Sequence, residues 1–416
     1  MPNADRRVAL VMPSATYRAT DFAGAAESLE VELVVATEHR QAMSESMGWR
    51  ALVVDLCDAE GSARAIAGVA RDHPLAAVVA VDDQGVEVAA RAAELLGLVH
   101  SPPASVHLTR DKVGMRRRLE AAGVRQPDFR VSGPGQGAGL GAELGFPVVI
   151  KPLGLAGSRG VIRADDPAAA QAAEVRIRVI LAEEGRPEDE ELLVERFVPG
   201  AEVAVEAVMT AGRLRVLAVF AKPDRLDGPY FEETIYVTPA ELSAGEEDDV
   251  VAVVGEAVAA LGLSEGPVHA ELRLAAEGPT VLEVAARTIG GLCGRALRFG
   301  AGISLEQVIL SHALGLDPGD LALSARASGV MMIPIPAAGR LRSVGGLAAA
   351  RRVGLVDGIE ITVPVGSWLR PLPEGDRYLG FIFASGPTAR AVEAALREAH
   401  RALIFQIEAP APAEAR

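Results

Sequence analysis

Two glutamates, Glu271 and Glu283, stand in the stretch GPVHAELRLAAEGPTVLEVAARTIGG, on two alternating segments separated by a turn. In PVHAELRL, Val268, Ala270, Leu272 and Leu274 fall on one face and His269, Glu271 and Arg273 on the other. In TVLEVA, Leu282 and Val284 oppose Glu283 and Ala285. With AAEGP as the loop of a hairpin symmetric about Glu277, Glu271 lies across from Glu283. Like charges facing each other across a sheet are destabilising unless a cation sits between them. Two carboxylates offering only oxygen suit Mg2+, which takes one or two of them beside nucleotide phosphates. Zinc does not fit, because His269 is the only nitrogen ligand nearby and no thiolate joins it. Arg287, two strand positions past Ala285, points the same way and has the fork that grips a carboxylate or phosphoryl group with two bonds. A solvated hairpin face is the plain alternative.

A second set of residues suggests phosphate. In VVIKPLGLAGSRGV, Lys151 ends an apolar strand and precedes Gly154, Gly157 and Gly160. A mononucleotide P-loop has the reverse order, with the lysine after the glycines and before Ser or Thr. Backbone N–H groups of such a loop can close over phosphate oxygens, Ser158 adds a hydroxyl, and Lys151 supplies a point charge. An exposed lysine at a plain turn is the competing reading. Of the 41 basic residues only Lys112, Lys151 and Lys222 are lysines. A lysine kept against so strong a preference for arginine suits a place where a compact ammonium is needed and a planar guanidinium is not. Lys112 falls in the first turn of an expected helix from Thr109 to about Ala122, where a cation costs roughly a few tenths of a kcal/mol against the helix dipole. A phosphate bound at that helix start reverses the sign. In LLVERFVPGAEVAVEAV, Glu195 and Glu202 bracket a Pro-Gly turn. They could meet the polar edge of an adenine and the ribose hydroxyls, with the backbone of Arg196 and Val198 serving the ring; two solvated glutamates are the ordinary alternative.

These residues need elements to hold them, and the chain supplies alternating ones. Residues 1–100 read as short apolar strands separated by helices: RVALVMP, VELVVAT, ALVVDL and AAVVAVDD, with FAGAAESL, SARAIAGVARDH and VEVAARAAELLG between and after them. Such alternation implies an open parallel sheet. The first turn, PSATYRATDF, lacks the dinucleotide glycine fingerprint, so nicotinamide and flavin are not supported. The pair Pro102-Pro103 marks a boundary, and SGPGQGAGLGAELG reads as a loop passing into a short helix. A long Ala-rich helix from Pro167 to Glu184 and several strands follow in α+β fashion. Past Asp320, GVMMIPIP, IEITVPVGSWL and YLGFIFASG are strand-like and TARAVEAALREAHRALIF is an amphipathic helix.

The expected organisation is an open α/β unit over 1–104, a two-lobed unit over 105–320 with its glycine-loop lobe at about 125–195, a small α+β unit over 321–408, and an unstructured tail, 409–416. A net charge of −15 and few aromatic residues argue against a nucleic-acid surface. No apolar run approaches a membrane span, the N-terminus lacks a convincing secretion signal, and two cysteines are too few for a disulfide framework or a cysteine metal site. The cytoplasm is the default compartment.

In this order, the pieces resemble the ATP-grasp superfamily of carboxylate–amine ligases over about residues 1–320. The resemblance implies that Lys112 and Lys151 contact ATP phosphates and that GLAGSRG, with Gly157 and Ser158, is the mobile glycine loop. It also implies that VERFVPGAE holds the nucleoside, with Glu195 on the adenine side and Glu202 on the ribose. Glu271 and Glu283 fall on the family's Mg2+ carboxylates, for which Mn2+ is a substitute, and Arg287 on its arginine. One departure stands out: many relatives read Glu-x-Asn-x-Arg where this chain has EVAAR, with Ala285 in place of the asparagine. EVAARTIGG, LDGPYFEETIYVTPAEL and the C-terminal unit look most like L-amino-acid ligases.

That likeness implies phosphorylation of a substrate carboxylate, attack of an amine on the resulting acyl phosphate, and release of ADP and phosphate. Arg287 would stabilise the oxyanion. Glu232, Glu233 and Tyr236 would meet the acyl donor's amino group, and His269 would line the same pocket or serve as a buried structural histidine. The partners would be small-molecule carboxylates and amines, with no nucleic acid and no membrane; a homodimer is one assembly open to it. A ligase acting on a non-amino-acid carboxylate or a purine-pathway or carboxylase-type intermediate stays open, as does a nucleotide-binding module without catalysis.

Overall fold

The computed structural model describes residues 6–40 and 44–409. Its first sheet is parallel, with β1 (Arg7–Val11), β2 (Glu32–Thr37), β3 (Ala51–Val53) and β4 (Ala77–Ala80) in the order β3-β2-β1-β4. Every residue of β1 is buried, as expected of a central parallel strand covered on both faces. The helices Ala19–Ser28, Ala59–Ala70 and Val86–Leu96 follow the expected alternation.

A small antiparallel sheet carries the glycine loop. It contains β5 (Phe129–Ser132), β6 (Val148–Pro152), β7 (Ile162–Ala164) and β8 (Leu192–Arg196) in the order β5-β8-β6-β7. The helices Gly137–Leu144 and Pro167–Glu183 pack against it. The second of these starts where it does because the Asp166 side chain accepts from Ala169 N–H and Pro167 presets the first turn.

The largest sheet has eight strands and spans two of the expected units. It is built from β9 (Ala201–Thr210), β10 (Arg213–Lys222), β11 (Ile235–Thr238), β12 (Gly266–Ala275), β13 (Gly278–Ala285), β14 (Ala327–Ile333), β16 (Val356–Ile361) and β18 (Gly380–Gly386), in the order β13-β12-β9-β10-β11-β14-β18-β16. The helix Ala244–Leu261 covers part of it and opens with a Ser243–Glu246 capping box. The pairing of β11 with β14, Ile235 opposite Met331, joins the C-terminal strands to the central ones. A three-stranded sheet of β15 (Gly339–Gly345), β17 (Trp368–Leu369) and β19 (Ile404–Glu408) completes the C-terminal region.

Several local expectations shift. The helix carrying Lys112 runs Lys112–Ala121 and is capped by Asp111, whose carboxylate accepts from the N–H groups of Val113 and Gly114. Thr109 instead ends the preceding helix, Pro103–Leu108. IEITVPVGSWL divides into β16 and β17, and the last apolar residues of TARAVEAALREAHRALIF leave the helix Ala389–Ala402 to begin β19. β15 has polar alternation too weak to stand out in sequence. Residues 410–416, nearly all of the expected tail, lie outside the described residues. Among the described residues, no helix is long and apolar enough to cross a membrane.

Candidate active site

A cleft of about 790 Å³ lies between the glycine-loop sheet and the large sheet; Lys112, Lys151, Glu202, Glu233, Glu271 and Glu283 are among the residues lining it. The hairpin of β12 and β13 forms part of its floor. Its turn is only Ala276–Glu277, because Ala275 pairs with Gly278. Continued without interruption, that register sets Leu282 opposite Glu271 and turns Glu283 toward the core. A β-bulge intervenes: Leu272 opposes Val281, Glu271 opposes Glu283, and Leu282 is the extra residue. Leu282 and Glu283 therefore both face the cleft, while Val281 and Val284 stay buried. The expected pair of glutamates is present, but a bulge produces it rather than a symmetric hairpin.

The bulge is tied to the phosphate side of the cleft by one buried arginine. Arg116, from the helix Lys112–Ala121, donates to the carbonyl of Leu282 at 2.6 Å and that of Val281 at 3.4 Å. Its Nε donates to Glu195 Oε1 at 2.5 Å, and Lys151 Nζ sits 2.6 Å from Glu195 Oε2. Glu195 thus has both oxygens engaged. It lines the cleft as expected, with its carboxylate committed to Arg116 and Lys151. Burial disfavours its charge, but Arg116 and Lys151 hold the carboxyl below its usual value. Arg116 was not foreseen, since one arginine in a helix full of arginines carries no local signal.

Lys222, the third lysine, was left without a role by the sequence. It is buried at the end of β10, 2.6 Å from Glu202 and 3.2 Å from Glu271, and it also bonds Glu233. The three glutamates each bring a carboxylate oxygen within 4.8 Å of the others. Glu202, Glu233 and Glu271 thus converge on Lys222, and with Glu283 opposite Glu271 across the hairpin they extend the expected pair of carboxylates into a larger candidate cation site. Glu202 also binds Arg273 Nε at 2.9 Å, so its expected ribose contact competes with two ion pairs. Burial opposes a charge on Lys222, yet Glu202, Glu233 and Glu271 raise its pKa well above the ordinary lysine value. Burial and the nearby Glu271 push Glu233 up to about 7 despite Lys222.

His269 lies opposite Glu206 on β9 and bonds it through Nδ1, while Nε2 is 3.2 Å from Glu271. Burial alone would lower its pKa; Glu206 and the hydrogen bonds to Glu206 and Glu271 instead raise it to about 9. Buried and bonded to both glutamates, it fixes the orientation of Glu271, in keeping with the structural alternative for this residue.

Above the floor, Gly157 and Ser158 both have left-handed backbone, φ 64° and 58°. Lys112 Nζ donates to the carbonyls of Leu153 and Leu155 at 3.3 and 2.9 Å, so it reaches the glycine loop. Val149, Phe197, Val198, Leu226, Phe231 and Leu282 give the cleft an apolar wall. The N–H of Arg196 donates to the Asp128 carbonyl at 2.9 Å, which leaves its carbonyl, not its amide, for a purine.

Besides His269, three expected residues are not among those lining this cleft. Arg287 NH2 is 2.8 Å from Asp83 Oδ2, beyond β4, and the same loop is gripped by Arg18, which bonds Thr288 and, at 2.7 Å, Glu306. Tyr236 is 2% exposed and belongs to the core, with Lys222 Nζ 4.9 Å from its ring centre. This corrects its expected contact with substrate. Glu232, adjacent to Glu233, is half-buried and instead accepts the Ile335 backbone N–H. Only Glu233 of that trio lines the cleft.

The donor set fits ATP with Mg2+. Two ammonium groups flank the glycine loop, an apolar wall can receive a base, and hard oxygen donors converge beside them. Ala285, buried opposite His269, offers no ligand atom.

Known proteins match in the same places. Residues 144–296 match the model of the ATP-grasp domain, 331–408 that of the L-amino acid ligase C-terminal domain 2, and 23–100 that of the ATP-grasp N-terminal domain. A D-alanine–D-alanine ligase of Polaromonas naphthalenivorans (strain CJ2) is 30% identical over 255 residues, 56% of this chain and 75% of that protein. An alanine–anticapsin ligase of Bacillus subtilis (strain 168) is 26% identical over 239 residues, 53% of this chain and 50% of that one. The chain spans between about half and two thirds of the length of most curated relatives it matches. In fold it is similar to an L-amino acid ligase from Bacillus licheniformis, with a TM-score of 0.79 and 24% identity over 98% of this chain and 100% of that one. By this sequence match, this fold and the three domain models in order, the chain belongs to the ATP-grasp superfamily of ligases and is L-amino-acid-ligase-like in its C-terminal domain.

Proposed function

We propose that the protein is an ADP-forming carbon–nitrogen ligase that joins an amino acid, through its carboxylate, to an amine, giving a dipeptide or related amide. The observation that carries this reading is the buried chain from the bulge at Leu282 through Arg116 and Glu195 to Lys151. It sets a phosphate-binding ammonium in register with a cluster of carboxylates. Mg2+ held by Glu271 and Glu283, with Glu233 beside them, would screen phosphate charge.

A substrate carboxylate oxygen attacks the γ-phosphorus as ADP leaves, while Lys112 and Lys151 neutralise the developing charge. The amine nitrogen then bonds to the acyl carbon, the carbon–oxygen bond to phosphate breaks, and the nitrogen's proton is released to solvent, with Arg287 as the donor to the oxyanion. Glu233 accepts from the donor's amino group. The match of residues 331–408 to the L-amino acid ligase C-terminal domain favours amino acids over purine-pathway or carboxylase-type substrates.

The test is ADP and amide formation over a panel of paired amino acids. Turnover is expected for at least one pair, with Lys151→Ala and Glu283→Ala slowed by about 100-fold or more while still folded. AMP and pyrophosphate as products would refute the acyl-phosphate route, and absence of turnover with every carboxylate and amine would sink the ligase reading.

A further inference from the structure

The glycine loop is held from outside its own lobe. Between β17 and β18 the chain makes a tight turn, Arg370–Arg377, in which Gly375 N–H donates to the Pro371 carbonyl at 2.8 Å. A Cβ on Gly375 would stand 2.0 Å from the Arg370 carbonyl oxygen, so the turn requires glycine there. The turn offers three groups to the other lobe. The Pro373 carbonyl accepts from Gly160 N–H at 2.9 Å. The Glu374 carbonyl accepts from Arg159 Nε at 3.2 Å. The Glu374 carboxylate takes both arms of Arg176, on the helix Pro167–Glu183, at 2.6 and 3.0 Å. Arg370 adds a 2.6 Å ion pair to Glu183 on the same helix. Arg159 and Gly160 are the last residues of the loop that covers the cleft.

We propose that this turn is a clasp supplied by the C-terminal unit, and that Glu374 is a positioning residue whose carboxylate, through Arg176, holds in place the turn whose Pro373 and Glu374 carbonyls grip Gly160 and Arg159 and keep the glycine loop closed. The proposal rests on the ligase reading for its consequence but not for its geometry. With the loop shut, the acyl carbon waits for the amine. With it loose, a water oxygen bonds to the acyl carbon, the carbon–oxygen bond to phosphate breaks, and carboxylate and phosphate leave with a proton released to solvent. ATP is then consumed without amide.

Hydrogen exchange over residues 154–162 of the free, full-length chain tests the clasp without any turnover. Glu374→Gln is expected to exchange about threefold faster there, the scale of a partly exposed ion pair, and the charge exchange Arg176→Glu with Glu374→Arg to return it toward wild type. In the working enzyme the ratio of phosphate released to amide formed should rise by a similar factor in Glu374→Gln and fall again in the exchanged pair. Unchanged exchange in Glu374→Gln overturns the clasp. Faster exchange with an unchanged phosphate-to-amide ratio overturns the positioning role. Faster exchange in a protein whose wild type joins no amine to any carboxylate supports the clasp and defeats the ligase reading alone.

Discussion

Glu195 illustrates how one side chain can be identified from sequence while its protein partners stay hidden. Its position after an apolar strand marked it, but the groups it binds, Arg116 and Lys151, come from other elements. Burial opposes its charge, but the two cations hold its carboxyl below the ordinary glutamate value of about 4.5. Its stabilisation is therefore complete above that value and is lost as pH falls through the lower folded value. Glu195→Gln should lower unfolding free energy by about 3 kcal/mol at neutral pH, with the gap to wild type closing below pH 4.5. Denaturant titrations at several pH values measure this; a gap that persists into acid would mean that Glu195 is not the ionised partner.

At the scale of elements, the hairpin and the helix Lys112–Ala121 are one device. The bulge turns Glu283 to the cleft, and Arg116 satisfies the carbonyls at Val281 and Leu282 that face it. Removing that guanidinium leaves buried carbonyls and the Glu195 carboxylate short of a partner. Arg116→Met should cost about 3–5 kcal/mol and also weaken ATP binding, because Lys151 loses the group that orients its anchor. Calorimetry of unfolding and of nucleotide binding reads both; loss of stability with unaltered nucleotide affinity would separate Arg116 from the site.

At the scale of the whole molecule, the first sheet reaches into the site through Asp83 and Arg18. Asp83 is paired with Arg287, and Arg18, 1% exposed, binds the Thr288–Ile289 backbone and side chain and Glu306. Arg287 is thus held by residues more than 200 positions away in sequence, as Arg287 and Asp83 are 204 apart. Asp83→Asn should lower kcat by about tenfold or more through misplacement of Arg287 while leaving KM for ATP near wild type. A change confined to KM would place Asp83 at nucleotide binding instead. The C-terminal strands belong to the same scale: they extend the central sheet through β14 and send out the turn that meets the glycine loop.

The sequence by itself determined what short-range periodicity and motif order can carry. Alternation showed the faces of β12 but misassigned Leu282 on β13, the position of Lys151 excluded a P-loop, and the order of lysines, glycine loop and glutamates pointed to the superfamily. The tertiary structure decided the rest. The bulge that sets Glu283 opposite Glu271 is a one-residue slip whose cost depends on what Arg116 brings to it. The roles of Lys222 and Glu195 depend on charges packed around them, and the continuity of the eight-stranded sheet on a pairing between β11 and β14. Such features rest on contacts between residues far apart in the chain, Arg116 and Glu195 being 79 apart. Hydrophobic period and local propensity describe a segment's own faces, whereas burial and ion pairing depend on which other segment arrives to cover them.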